Sequence, residues 1–201
     1  CINSGSMKSC LEEGAEVYLS PADDPKRKTR YTWEMIRING SWVGIHTMRP
    51  NQIAVEALKN DEIPGLKGYS RVTPEVKVHE SRLDIMAEND YEQCFLEVKN
   101  VTLKEGDYAL FPDAITKRGQ KHLETLARLK QEGFRAVMLY VVQRMDVQEF
   151  GPARHIDAQY AEMLQWAVQQ GVEVFPLQAE VSPHGIHIRK ILPFNLHPEI
   201  S

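Results

Sequence analysis

Apolar and polar positions alternate in short stretches over the first fifty residues, then give way to longer runs with two different periods. Glu16–Leu19, Thr32–Ile38 and Trp42–His46 read as strands, and the Asn39-Gly40 pair between the last two is a two-residue hairpin signal. A short helix is predicted from Asn51 to Leu58, followed by breaks at Pro64-Gly65 and Lys67-Gly68. From Val78 the texture is mixed. Val78–Ala87 and Cys94–Val98 read as strands joined by a turn over Glu88–Gln93, and a further turn is expected at Lys104-Glu105-Gly106-Asp107. A helix over Ala114–Glu132, a continuous apolar strand at Ala136–Val142, a helix over Asp157–Gln170 and a strand at Val172–Pro176 complete the series, with Gly133 and Gly171 where helices stop. Such alternation predicts an α/β sandwich whose central sheet contains parallel strands. Residues 1–48 read as a small all-β unit and 49–201 as the mixed unit, with 49–75 as linker and leading helix.

Charges on a buried strand need a reason, and the Cys94–Val98 strand leads straight into two. Side chains alternate faces, so Phe95, Glu97 and Lys99 share one face and Cys94, Leu96 and Val98 the other. A hairpin symmetric about Asp90 and Tyr91 sets position 84 opposite position 97, about 5 Å apart at Cβ. Two carboxylates at that separation share a cation. Mg2+, or Mn2+ in its place, takes oxygen ligands and keeps several waters, so Asp84, Glu97 and a backbone carbonyl suffice to hold it. Lys99 on the same face is then placed to orient or deprotonate water beside a phosphodiester. An edge strand carrying Glu97 and Lys99 as a solvated pair explains the same letters.

Composition is ordinary for a globular chain: 201 residues, 42% hydrophobic, 26% charged. No run is apolar and long enough to span a membrane, no signal peptide is visible, and the chain starts at Cys1 rather than Met. Three cysteines without C-x-x-C spacing speak for a reducing cytoplasm rather than disulfides or a zinc site. A net charge of -4 means that any nucleic-acid binding must rest on local patches. One such patch is Lys26, Arg27, Lys28 and Arg30, followed by Tyr31 and Trp33. Cations beside aromatics suit a phosphate backbone and stacked bases, although a solvated hairpin loop fits equally. Lys117, Arg118 and Lys121 crowd the start of the helix after Asp113 and are a second set of candidate phosphate contacts. In that helix Ile115, Gly119, His122, Leu126 and Leu129 fall on one stripe. Asp113 reads first as the helix cap, as does Asp157 for the later helix. Pro183 and Gly185 deny His184 and His187 a shared helical face, and no G-x-S-x-G elbow supports serine chemistry.

Several segments together resemble the sugar fermentation stimulation protein family, SfsA. They are Ser81-Arg82-Leu83-Asp84, Phe95-Leu96-Glu97-Val98-Lys99-Asn100-Val101-Thr102-Leu103, Phe111-Pro112-Asp113-Ala114, Arg118-Gly119-Gln120-Lys121-His122-Leu123 and Pro152-Ala153-Arg154-His155-Ile156-Asp157. Lys26-Arg27-Lys28 with Thr32-Trp33-Glu34 matches too, and Cys1-Ile2-Asn3-Ser4-Gly5-Ser6-Met7 is similar to the family's Cys-Pro-Asn-Thr-Gly-Ser-Met, departing from it at Ile2 and Ser4. The resemblance implies a partial OB-fold β-barrel followed by a PD-(D/E)XK nuclease-like domain, a central mixed sheet flanked by helices, in a prokaryotic cytoplasmic protein that binds DNA without sequence preference. It implies Asp84, Glu97 and Lys99 at the nuclease-motif positions, with Glu75 and Asp113 at further acidic positions. It also implies a few dozen residues ahead of Cys1 that supply the first strands of the barrel. Two functions remain open at this point: metal-dependent phosphodiester cleavage, or a DNA-binding regulatory protein that keeps the nuclease scaffold without cutting.

Overall fold

The computed structural model describes all residues except Ser4, Asp23, Pro25, Ile200 and Ser201. Three strands come first: β1 (Val17–Pro21), β2 (Tyr31–Ile38) and β3 (Ser41–Gly44), an antiparallel sheet in the order β1-β2-β3. Asn39 and Gly40 turn β2 into β3 with φ of 53° and 72°, the left-handed pair that a tight hairpin demands. Met7, Cys10, Ile36, Ile38, Val43 and Ile45 pack into a small core of their own beneath this sheet.

Helix α1 (Arg49–Lys59) leads into the main sheet, whose six strands lie in the order β12-β11-β9-β6-β5-β4. These are β4 (Arg71–Val78), β5 (Ser81–Glu88), β6 (Gln93–Val101), β9 (Arg135–Val142), β11 (Glu173–Ser182) and β12 (Gly185–Ile191). β6, β9 and β11 run parallel, whereas the β4-β5, β5-β6 and β11-β12 pairs are antiparallel. Central β9 is buried from Ala136 to Val142, as its unbroken apolar run requires. Helices α2 (Lys117–Gln131) and α3 (Ala158–Gln169) cover one face over a core containing Leu83, Phe95, Met138 and Tyr140, and α1 covers the other over Ile85, Leu96, Val98 and Val137. A small sheet of β7 (Leu103–Glu105), β8 (Tyr108–Phe111) and β10 (Glu149–Pro152) sits beside it. The fold class is therefore α/β, a mixed central sheet flanked by helices and preceded by a small β unit.

Several local expectations are corrected. The strand expected over Val78–Ala87 is the end of β4, a His79-Glu80 turn and most of β5, because half-exposed β4 shows little periodicity. Short strands β7, β8 and β10, and the β11-β12 hairpin through His184, lacked long apolar runs to announce them. Helix α2 starts at Lys117, not Ala114, and its cap is Thr116, whose hydroxyl accepts from Gly119 N–H at 3.0 Å. Asp113 is thus no cap, and Ile115 lies outside the helix with 74% of its surface exposed. Asp157 does cap α3, accepting from Tyr160 N–H at 2.9 Å, and also accepts from Thr116 N–H at 2.9 Å, so one carboxylate pins both helix starts. Gly119 lets α2 press on α3, since a Cβ there would meet Tyr160 at 3.0 Å.

Candidate functional site

The β5-β6 hairpin has the register symmetric about Asp90 and Tyr91: Glu88 faces Gln93, Ala87 faces Cys94, Met86 faces Phe95 and Ile85 faces Leu96. Pairing stops there, although β5 continues back to Ser81 and β6 onward to Val101. The two strands part at positions 84 and 97, and the Asp84 carboxylate fills the gap by accepting the Val98 N–H at 2.8 Å. Its other oxygen accepts from Asn51 Nδ2 at 2.8 Å, reaching over from the first turn of α1. That helix start is itself anchored to the N-terminal sheet. Arg49 donates to both oxygens of buried Glu34 at 2.8 and 3.1 Å, and Ser20 donates to Glu34 at 2.7 Å. The three-stranded sheet thereby sets where Asn51 meets Asp84.

Glu97 is buried, with 2% of its side chain exposed, and its Oε1 is bonded by Lys99 Nζ and His122 Nδ1. Arg118 Nε donates to the far ring nitrogen of His122 at 3.4 Å, which assigns the ring proton to Nδ1 and makes His122 a donor to Glu97. Glu97 Oε2 is buried and has no hydrogen-bond partner among the described residues. A buried carboxylate oxygen without a donor is costly, and a cation relieves that cost.

The electrostatics show the same demand. Burial pushes the Asp84 carboxyl up, the negative charge of Glu97 pushes it further, and the Val98 N–H, Lys99 and Asn51 offset this only in part. Glu97 goes the other way: burial raises it, but the His122 hydrogen bond and the charge of Lys99 more than compensate and hold it below its ordinary value. One carboxylate is satisfied as an anion on one oxygen, and its neighbour carries the repulsion.

The donor set fits a hard divalent cation of the magnesium kind, which takes one or two carboxylates and completes its shell with water. Among the described residues, no group of three or more His, Cys, Asp or Glu could hold a metal ion, so Asp84 and Glu97 by themselves are the candidate carboxylates. Glu75 does not join them. It stands across the β4-β5 ladder from Asp84, between the Pro74–Ile85 and Val76–Leu83 pairs, but with φ of 55° its side chain turns to solvent and lies 3.5 Å from Arg82. Asp113 sits elsewhere too, accepting Ser6 N–H at 2.8 Å from the N-terminal segment. Lys117, Arg118 and Lys121 are exposed at the start of α2, with Arg118 on His122. Lys26, Arg27, Lys28 and Arg30 are exposed in the β1-β2 loop, where Arg27 donates to Thr32 Oγ1 at 2.8 Å. Sequence reasoning missed Asn51 altogether and took His122 for an ordinary stripe residue. A histidine on the apolar side of an amphipathic helix opposite a buried glutamate was the available signal.

Comparison with known proteins decides the family. The model described as "Sugar fermentation stimulation protein RE domain" matches residues 48–185, and the one described as "SfsA N-terminal OB domain" matches residues 1–45. The chain belongs to the sugar fermentation stimulation protein family. It is 47% identical over 189 residues to the sugar fermentation stimulation protein homolog of Geotalea uraniireducens, covering 94% of this chain and 82% of that one. It is 46% identical over 186 residues to the homolog of a Synechococcus strain, covering 92% of this chain and 78% of the relative. Among solved structures it is similar to Pyrococcus furiosus SfsA in complex with Ca2+, with a TM-score of 0.88 at 30% identity over 96% of this chain and 83% of that one. This family's OB unit accounts for the three-stranded sheet and its small core.

Proposed function

We propose that this protein binds DNA without sequence preference and cleaves phosphodiesters with a divalent cation, Mg2+ or Mn2+, held by Asp84 and Glu97. The observation that carries the reading is the buried, partnerless Oε2 of Glu97 beside an Asp84 whose charge is opposed by its neighbour. The Ca2+ complex of the Pyrococcus relative supports a divalent ion in this fold. When bound, the cation supplies charge that offsets the anion growing on the phosphate. Asn51 and the Val98 N–H hold Asp84 in one orientation, and His122 does the same for Glu97. Lys99, already bonded to Glu97 Oε1, has further N–H groups with which to donate to and orient a water beside the phosphate. Exposed Lys117, Arg118 and Lys121 together with the Lys26–Arg30 loop hold the backbone. The family, the β-sheet hairpin and the spacing of Asp84, Glu97 and Lys99 make the PD-(D/E)XK reading the natural frame for this chemistry.

A second reading, binding without cleavage, draws on the same Lys99 contact: an ammonium locked on Glu97 is not free to serve a water. One experiment separates the two. Plasmid, single-stranded DNA and RNA are incubated with the protein in Mg2+ or Mn2+ against chelator, alongside Glu97→Gln and Lys99→Ala. Metal-dependent nicking that both variants lose, with binding retained, supports cleavage. Binding without nicking under every metal and substrate supports the second reading, and nicking unchanged in both variants removes these residues from the chemistry.

A further inference from the structure

Three of the segments singled out in the sequence meet at a place that the candidate site does not use. The N-terminal segment around Asn3 and Gly5, Asn100 to Leu103 at the end of β6, and Phe111 with Asp113 after β8 enclose a cavity of about 190 Å3, closed on a further side by Thr47 just before α1. We infer that this cavity is a subsite for one unpaired nucleobase of the nucleic-acid strand whose phosphate lies at Asp84 and Glu97. The inference rests on the nucleic-acid reading of the neighbouring centre.

Size and chemistry both point to a base. The volume is below that of a drug-sized pocket and suits a single ring system. One part of the lining is apolar, half-buried Phe111 with the edge of Leu103 and with Leu110 buried behind them, which suits the edge or part of the face of a flat ring. The polar part is asymmetric. Asp113 spends Oδ2 on the Ser6 N–H at 2.8 Å, and its Oδ1 has no bond among the described residues. Asn100 spends its oxygen on Gln143 Nε2 at 2.8 Å, and its NH2 group has none there. The cavity therefore offers a carboxylate acceptor and an amide donor, and the pairing edge of every base carries an N–H donor and a ring or carbonyl acceptor.

Position supports the same occupant. Asn100 is three strand residues beyond Glu97, about 10 Å along β6 and on the strand's other face, and Thr47 lies in the turn just ahead of α1, four residues before the Asn51 that holds Asp84. A strand passing the carboxylates brings a neighbouring base to the cavity by rounding the end of β6, where Asn100 to Leu103 lie. A paired base hides this edge against its partner, so the occupant is a base from single-stranded or opened nucleic acid.

The test uses fluorescence anisotropy of the full chain in chelator, with labelled mixed-sequence single-stranded DNA, its duplex, and an abasic strand of equal length. The readout is the ratio of single-strand to abasic affinity, which a loss of phosphate contacts alone does not move. The wild-type ratio is expected to be about tenfold or more, the range that one stacked base supplies. Asp113→Asn removes an acceptor and also a repulsive charge, so abasic binding is expected to rise while the ratio falls toward one. Asn100→Asp keeps the acceptor for Gln143, preserving the local packing, and is expected to lower the ratio too. A wild-type ratio near one, an unchanged ratio in both variants, or competition by a free monosaccharide instead of a nucleoside would overturn the subsite while leaving the phosphate reading intact. Absence of binding to any of the three probes would overturn the nucleic-acid reading itself and the subsite with it.

Discussion

Two buried carboxylate centres in this molecule are built from similar parts to opposite ends. Arg144, with 1% of its side chain exposed, grips both oxygens of Asp146 at 2.7 and 2.8 Å and spends its remaining donors on Thr102 O at 2.6 Å and Ser9 Oγ at 3.2 Å. Asn39 Nδ2, from the turn of the N-terminal sheet, donates to Asp146 at 2.9 Å. Every charge there has a partner. Burial pushes the Asp146 carboxyl up, and the bonds from Arg144 and Asn39 bring it below its ordinary value. At Asp84 and Glu97 one carboxylate is pushed up and one oxygen is left bare. The first centre joins the two units of the chain. The second is left incomplete by the protein, and the difference teaches that satisfaction of hydrogen bonds, rather than burial of charge, separates a structural ion pair from a candidate site.

The comparison is broken most forcibly at its structural end. Arg144→Met takes the cation from Asp146, which keeps the Asn39 bond alone, while the Thr102 carbonyl keeps Ser9 Oγ, and it is expected to cost roughly 3–5 kcal/mol in urea unfolding. A loss under 1 kcal/mol would show that the clamp holds nothing together. At the other centre, a divalent ion at a hundred times its dissociation constant should stabilise the wild type by about 2.7 kcal/mol. Thermal melts with Mn2+ and chelator check this. Glu97→Gln should abolish the increment, and an increment that survives places the ion elsewhere.

His122 sharpens the contrast between the centres. His122→Leu removes the donor that orients Glu97 and should weaken Mn2+ by about 10–100-fold in calorimetric titration, with His122→Asn recovering part of it through its own N–H. Acid acts on the clamp in a direction that follows from the lowered Asp146 value. An acid depressed in the folded state contributes stability that is present above its unfolded pKa, near 3.9, and is lost as pH falls through the lower folded value. Unfolding free energy should therefore drop below about pH 4, and Asp146→Asn should flatten that part of the curve. Smallest for stability is neutralisation of Lys26, Arg27, Lys28 and Arg30. Melting and Mn2+ binding should stay put, while the log-log salt slope of DNA binding falls by about 1 per phosphate contact removed.

The Asp84–Glu97 centre was legible in part, and the Arg144–Asp146 clamp only through its Asn39 turn. The turn residues Asn39-Gly40, the continuous β9 and the period-two placement of Glu97 and Lys99 are local consequences of backbone sterics and strand geometry, so they read directly from the letters. The hairpin register followed from its turn, which brought position 84 to the level of position 97. Glu75 was out of reach: its left-handed φ turns the side chain to Arg82, and no pattern in the surrounding residues marks it. Asp113 looked like a cap because it stands before a helical stripe, yet the chain runs on to Thr116 before the helix begins.

The sequence by itself determined the α/β class, the hairpin and the shared strand face of Glu97 and Lys99, because each depends on neighbours within a few residues or on one turn. Tertiary structure alone decided that β5 and β6 part at Asp84, that Asn51 and His122 come from α1 and α2 to hold the two carboxylates, and that Asp113 meets Ser6 across more than a hundred residues. Those contacts arise where separately folded segments pack. A buried polar group takes whichever partner the packing brings, and no local periodicity encodes that choice.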